Sequence, residues 1–405
     1  MRLMIITNSY PSYLGHLYAA QPELGSRSYA EQKVVLDSDF FAWADSWSVA
    51  LTPLGYCTSE ITPNALCMQR AWCDENGLAF DSTLPGLRKT VVAQAQQFRP
   101  DIIWFNDYDD ELLKMLRTGL PSLRLVLGWV GSAIPPTEAW HRMDLILSCA
   151  PEAVAAMGNA GFPAEHFPHS FDPRINSRLE AREKNRALSF VGHLMRLNQF
   201  HLQREELLEA LAYVVPLDIY TPSAECGWQD EVKGLIKLGL TYGVGLLREF
   251  GASDPFLKTL PILGIATEWS TRYVRPANPR LKPFFRHPLF GLPMYQAVQD
   301  SMATLNIHAD SSPHFASNMR LYEATGVGAC LVTDWKENIE DIFVPDQEVV
   351  VFRNGEECRE KVTWLLDHPK EAAEIGLAGQ KRTLRDYTYA HRAELLHRII
   401  GKALS

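Results

Sequence analysis

Short apolar runs alternate with helical patterns along most of the chain. Residues 3–7 (LMIIT) form an apolar run that breaks into Asn8, Ser9, Pro11 and Gly15. That sequence predicts a buried strand and the turn-rich loop that follows a first parallel strand. The signal recurs at 102–105 (IIWF), followed by an acidic turn at 106–110 and a helical pattern, Leu112, Leu113, Leu116, that runs to Gly119. Residues 124–129 and 144–147 read as two more strands, and 151–161 as a helix with proline at its start and glycine at its end. Strands alternating with helices predict an α/β domain on a parallel sheet.

The pattern changes at 172–186, DPRINSRLEAREKNR, which is poor in bulky apolar residues and reads as a solvated linker. A second strand-then-glycine opening follows at 188–192, then a helix over 203–214 and a strand over 217–220, so an α/β unit starts afresh. Over about 223–283 the alternation gives way to helical spacing of Leu235, Ile236, Leu238, Leu246 and Leu247 and then to a proline-rich stretch, which predicts a helical insertion. Strands are expected again at 303–307, 328–332 and 349–352, with a helix beginning at 319–325. The chain closes on amphipathic helices at 356–366, 369–376 and 389–400.

Length and composition narrow the classes. At 405 residues, 46% hydrophobic and 21% charged, the chain has material for about two folded domains and none of the bias of a disordered or fibrous protein. Its net charge of -9 argues against a general nucleic-acid binder. No uncharged apolar stretch reaches the roughly 18 residues a membrane span needs, and the first residues lack the apolar core of a secretory signal, so a cytoplasmic protein is expected. The seven cysteines are scattered and form no CxxC pair, which signals neither a disulfide framework nor a zinc knuckle. Residues 269–299 contain no acid and carry Arg272, Arg275, Arg280, Lys282 and Arg286. That stretch reads as a solvated loop or as a weak contact for anionic lipid.

The most informative segment for chemistry is 306–333, NIHADSSPHFASNMRLYEATGVGACLVT, where a strand ends in a polar loop and a helix begins near Ser317 and Asn318. A diphosphate fits such a helix start, Arg320 adds charge-assisted bonds, and Glu323, a turn later, takes a ribose diol. The alternative is structural, with Asn318 as an N-cap and Arg320 and Glu323 as a surface pair. Asp107, in IIWFNDYD, supports three readings: a metal-holding Asp-x-Asp with Asp109, a general base at the carboxyl end of a strand, or part of a solvated helix start. His16, placed in the first strand-to-helix loop, reads as an acceptor base or a surface histidine. His193 reads as a phosphate or sugar contact or as a capping residue. No GxSxG, P-loop or GxGxxG follows a strand. His166 and His169 have helical spacing but follow proline, which does not suit a metal pair.

The runs NMRLYEATGVGACLVTD, ENIEDIF, VVVFRNGEECREKVTWLLDHP and GLAGQKRTLRDYTYAHR resemble the C-terminal half of the group 1 glycosyltransferases, in the CgeB-like branch named for spore maturation proteins. DLILSCAPEAVAAMGNAGFPAEHFPHSFDP and LSFVGHL are similar to the junction of that family's two domains. The resemblance implies a GT-B fold, two Rossmann-like domains facing across a cleft. An acceptor domain would span about 1–175, a nucleotide-sugar domain 176–387, and a last helix, 388–405, would pack back on the first domain. It also implies a nucleotide-diphosphate sugar donor, a glycan, glycolipid or protein acceptor in bacterial surface glycan synthesis, no cofactor and no required metal. Matched residue by residue, Glu323 falls on the ribose-binding carboxylate, Arg320 and Asn318 beside the donor phosphates, and Gly192 on the glycine after the second domain's first strand. Two departures stand out: Phe315 occupies the place of a glutamate that touches the donor sugar, and Thr221-Pro222 replace a glycine. The first motivates a non-catalytic, nucleotide- or glycan-binding scaffold as a second reading, with a sugar-nucleotide epimerase as a third.

Overall fold

The computed structural model describes residues 1–131, 133–194, 196, 201–267 and 275–405. The chain divides into two compact units, Met1–Ala187 with Phe290–Ser405, and Leu188–Leu289.

The first unit contains a six-stranded sheet in the order β2-β1-β3-β4-β5-β6. Its strands are β1 (Arg2–Thr7), β2 (Cys57–Ile61), β3 (Ile102–Asn106), β4 (Leu125–Val130), β5 (Leu145–Ser148) and β6 (Ala164–His166). All pair in parallel, with Leu3 opposite Ile102 and Ile103 opposite Val126. Both faces are covered, which explains why these strands are near-continuous apolar runs. On one face Leu3, Ile5, Trp104 and Leu127 meet Trp47 and the closing helix Tyr389–Leu404. On the other, Met4, Ile6, Phe105 and Val126 meet Val91 and Ala95 of the helix Leu84–Phe98 and Leu112, Leu113 and Leu116 of the helix Asp110–Gly119.

The second unit carries β7 (Arg186–Val191), which begins at the boundary, with β8 (Leu217–Tyr220) and β9 (Phe285–Arg286) in parallel. Between β8 and β9 lie the helices Trp228–Glu249, Asp254–Lys258 and Pro261–Ala266, so the expected insertion is helical. Back in the first unit, β10 (Ser301–Asn306), β11 (Cys330–Asp334) and β12 (Val350–Phe352) pair in parallel in that order.

The segment expected to be a solvated linker is in fact anchored at its start. Asp172 is buried, accepts a hydrogen bond from Ser46 Oγ at 2.7 Å and pairs with Arg174, whose guanidinium also reaches Asp45 at 2.6 Å. The composition argument fails only there, because Ile175 is buried beside the Asp172–Arg174 pair, whereas residues 180–185 are exposed as expected of a solvated linker. No described helix is long and apolar enough to cross a membrane.

Candidate functional site

The loop from β10 to the helix Arg320–Gly326 is held from both sides. Asp334, at the end of β11, accepts from His308 N–H at 3.1 Å, contacts His308 Nδ1 at 2.7 Å and pairs with Lys336 at 3.3 Å. Burial pushes the Asp334 carboxyl up, but His308 and Lys336 outweigh it and hold the group at about 2. Asn338 brackets Ala316, accepting from its N–H at 2.7 Å and donating to its carbonyl at 3.1 Å. From the first turn of the helix Pro151–Asn159, which follows β5, Glu152 Oε1 accepts the N–H groups of His314 and Phe315 at 3.0 and 2.9 Å.

The sequence did not single out Glu152, because a glutamate after Pro151 reads simply as an acid suited to a helix N-terminus. Only the fold shows that it grips the backbone at Phe315, the position where the family pattern has a side-chain carboxylate. Its other oxygen, Oε2, is buried without a hydrogen-bond partner among the described residues.

Asn318 is not the N-cap that the spacing suggested. Met319 takes that place without a side-chain cap, while Asn318 Nδ2 donates to Asn306 Oδ1 at 2.7 Å and Asn306 donates to Thr333 Oγ1 at 2.9 Å. Asn318 Oδ1 is left buried with no partner among the described residues.

Arg320 and Glu323 do form an i, i+3 pair, at 3.0 Å, but not a surface one, since their side chains are only 15% and 9% exposed. Tyr295 donates to Glu323 Oε1 at 3.2 Å, and Arg320 Nη1 also lies 3.2 Å from Met294 Sδ. Both recorded contacts of the guanidinium use Nη1, so its planar fork has donors left for a diphosphate. Burial first, and the Glu323 charge second, raise the phenols of both Tyr295 and Tyr10; Arg320 opposes the shift.

An aromatic bridge links this pair to the first helix of the chain. Phe290 and the helix Gly291–Gln299, which carries Met294 and Tyr295, follow one another. Phe290 packs edge-on against Tyr13 and Phe41, with His16 5.6 Å from it between ring centroids. Gly291 makes the approach feasible: its φ is +52° and a Cβ there would fall 2.3 Å from Asp39. His16 lies in the helix Pro11–Ala20, not in a loop, because Pro11 starts the helix at once, and its side chain is exposed.

Asp107 stands at the carboxyl end of β3, where ligands sit in such sheets. Asn8 Nδ2 donates to it at 2.7 Å, as do the N–H groups of Tyr108 and Asp109 at 2.5 and 3.3 Å. Burial raises its pKa, with the nearby Asp109 adding to the effect against those hydrogen bonds. Asp109 itself caps the helix Asp110–Gly119 and pairs with Arg88 at 2.7 Å, so the second carboxylate of the Asp-x-Asp is already engaged. Among the described residues no group of three or more His, Cys, Asp and Glu could hold a metal. His166 ends β6, with Nε2 3.2 Å from the Cys149 carbonyl.

In the second unit, Gly192 donates its N–H to the Tyr220 carbonyl at 3.1 Å, and His193 follows it. Burial and then Arg204 lower the His193 pKa, which favours the neutral imidazole. Within the basic stretch, residues 268–274 lie outside the described residues; Arg280 and Arg286 are paired with Glu209 and Asp218.

Residues 248–398 match a family model described as glycosyl transferase-like. This segment is thus similar to glycosyltransferase domains. Solved structures extend the likeness to the whole chain. Anabaena Alr3699/HepE in complex with UDP-glucose is 12% identical, with a TM-score of 0.54, over 99% of this chain and 100% of that one. AviGT4, a glycosyltransferase involved in avilamycin A biosynthesis, is 12% identical at a TM-score of 0.52, over 100% and 98% of the two chains. Sucrose-phosphate synthase from Thermosynechococcus elongatus is 10% identical at 0.51, over 99% and 98%. At these identities the likeness is one of fold, and the fold is GT-B. No curated protein sequence matches the chain.

Proposed function

We propose that the chain is a glycosyltransferase of the CgeB-like branch, carrying a sugar from a nucleoside-diphosphate donor to a hydroxyl of a glycan, glycolipid or protein in bacterial surface glycan synthesis, in the cytoplasm. The observation that carries this reading is the buried Arg320–Glu323 pair within the glycosyltransferase-like segment. A buried ion pair is costly unless its remaining capacity is met. A nucleoside diphosphate meets it, with phosphate oxygens on the unused Arg320 donors and ribose hydroxyls on the spare lone pairs of Glu323. Asn318 Oδ1 is a further acceptor beside them.

In the transfer, the bond from the sugar's anomeric carbon to the diphosphate breaks and a bond to the acceptor oxygen forms. Arg320 stabilises the charge on the departing diphosphate. If configuration inverts, His16 or Asp107 takes the acceptor proton, and the raised pKa of Asp107 suits a base. If configuration is retained, both residues position the acceptor, and its proton passes to the oxygen of the departing diphosphate. No step requires a metal or a cofactor besides the donor. Phe315, where the family pattern has an acid, favours one rival, a scaffold that binds nucleotide without turnover.

The test is release of free nucleoside diphosphate from UDP-, GDP-, ADP- and dTDP-sugars by the wild type and by Arg320→Gln, with His193→Ala reporting on the second unit. Release from one donor, reduced about a hundredfold or more in Arg320→Gln, is expected for loss of a transition-state charge contact. Nucleotide binding without release would favour the scaffold, and isomerised donor without release an epimerase.

A further inference from the structure

A cavity of about 250 Å³ lies beside the edge strand β2, and none of its lining residues belongs to the candidate site. Ser59 of β2 and Arg2 of β1 line it on the sheet face that the helix Leu84–Phe98 covers. Gln94 and Phe98 of that helix, Trp72 of the helix Leu66–Glu75 and Tyr29 of the helix Tyr29–Ser38 enclose it. At about 30 Å³ per water it has room for several molecules, so it is more than a packing gap. Gln94 is the odd residue of this wall. It is 4% exposed, next to Ala95 on the buried face of its helix, and neither its Nε2 nor its Oε1 has a hydrogen-bond partner among the described residues. Leucine would fill such a place without burying an unpaired amide, so a glutamine there calls for a partner.

The other polar groups of the lining are uncommitted as well. The Tyr29 phenol, the Ser59 hydroxyl and the Trp72 indole N–H make no hydrogen bond among the described residues. Arg2 gives Nε to the Phe98 carbonyl at 2.6 Å and lies 4.6 Å over the Phe98 ring, which leaves its Nη donors. No hydrogen bond holds the Gln94 amide, so rotation about its side-chain torsions presents it to a ligand in the cavity. These groups come from five separate elements and so surround the space. A flat base carries its polar atoms along its edges, whereas a pyranose ring carries hydroxyls all round and C–H faces that pack on rings such as those of Tyr29, Trp72 and Phe98. An amide offers a donor and an acceptor side by side, which matches two neighbouring hydroxyls. Arg2 is the only charged residue among the described residues of the lining, so a neutral or acidic sugar suits it.

We propose that this cavity binds a single pyranose ring, with the Gln94 amide as its central contact and Tyr29, Ser59, Trp72 and Arg2 around it. The proposal does not depend on the proposed sugar transfer, and its test reads binding alone. The full chain is titrated by ligand-observed NMR with glucose, galactose, N-acetylglucosamine and glucuronate, each as the free sugar and as its methyl glycoside, and with adenosine as a flat-ring probe. Gln94→Leu and Tyr29→Phe/Ser59→Ala are run beside the wild type. Neither variant removes a side-chain hydrogen bond of the free protein, so the unfolding temperature should not fall in either. At least one sugar should bind the wild type, about tenfold more weakly in Gln94→Leu and to a similar degree in the double variant. Binding of the methyl glycoside too would point to a ring within a glycan, and of the free sugar alone to a small metabolite. The proposal is overturned if no sugar binds at about 10 mM, if Gln94→Leu binds as the wild type does, or if adenosine is the probe whose binding that variant loses. It is also overturned if Gln94→Leu unfolds at a lower temperature without any sugar, which would make ordered water the partner of the amide.

Discussion

Two long amphipathic helices of this chain have opposite fates. Tyr389–Leu404 buries Tyr389, Ala393, Leu396, Ile399 and Ile400 against Trp47, Leu51 and the first sheet. Trp228–Glu249 keeps most of its apolar residues in solvent. In the sequence both have apolar residues at helical spacing, so period alone does not separate them. It shows that a face exists; what covers the face is decided by residues far away in the chain. For the closing helix those residues are Trp47 and Leu51 with the strands β1, β3 and β4, and the bridge between Phe171 and Thr388 fixes where it enters.

Substitutions on the two helices sharpen the contrast. Leu396→Ala removes a fully buried side chain and should cost about 2–5 kcal/mol in urea unfolding; a loss below about 1 kcal/mol would mean the docked face is poorly packed. The next effect depends on pH. Glu60, on β2, is within electrostatic reach of Tyr389 in the docked helix, and burial pushes its carboxyl up from 4.5 to about 7 despite Lys33 and the Ser48 hydrogen bonds. A carboxyl raised in the folded state binds protons more tightly there than in the unfolded chain. Its contribution to stability is thus complete below about 4.5 and is lost as pH rises through about 7. Glu60→Gln should flatten that fall and be more stable than wild type at pH 8 by about 1–3 kcal/mol; parallel curves for the two proteins would show that Glu60 does not carry it.

Smaller effects lie on the rims of the two helices. Lys402 pairs with Glu165 at 2.7 Å but is 77% exposed, so Lys402→Ala should change unfolding free energy by no more than about 1 kcal/mol, and less at high salt. Leu246→Ala should alter stability by less than about 0.5 kcal/mol, because the side chain is already in water. A large loss at Leu246 would break the comparison by showing that its face is covered after all.

The alternation of strands and helices was legible because both sheets are parallel and their strands are apolar runs bounded by turn residues. β2, CTSEI, was missed because only Ile61 of its five residues is buried, as suits an edge strand. In the candidate site, the segment around Arg320 and Glu323 was singled out from its place after a strand, whereas their low exposure was not legible, since it comes with Tyr295 and Met294, which follow Phe290 of the aromatic bridge. Glu152 could not be found from local pattern, because its partners, His314 and Phe315, are more than 160 residues away.

The central claim is that Arg320 and Glu323 hold a nucleoside diphosphate, and thermal unfolding with UDP, GDP, ADP, TDP and CMP, on the wild type and Glu323→Ala, tests it most directly. A ligand at a hundred times its Kd adds about 2.7 kcal/mol to the stability of the state it binds. The account predicts a rise in melting temperature with one nucleotide, lost or much reduced in Glu323→Ala; an equal rise in both proteins, or none with any nucleotide at millimolar concentration, would contradict it.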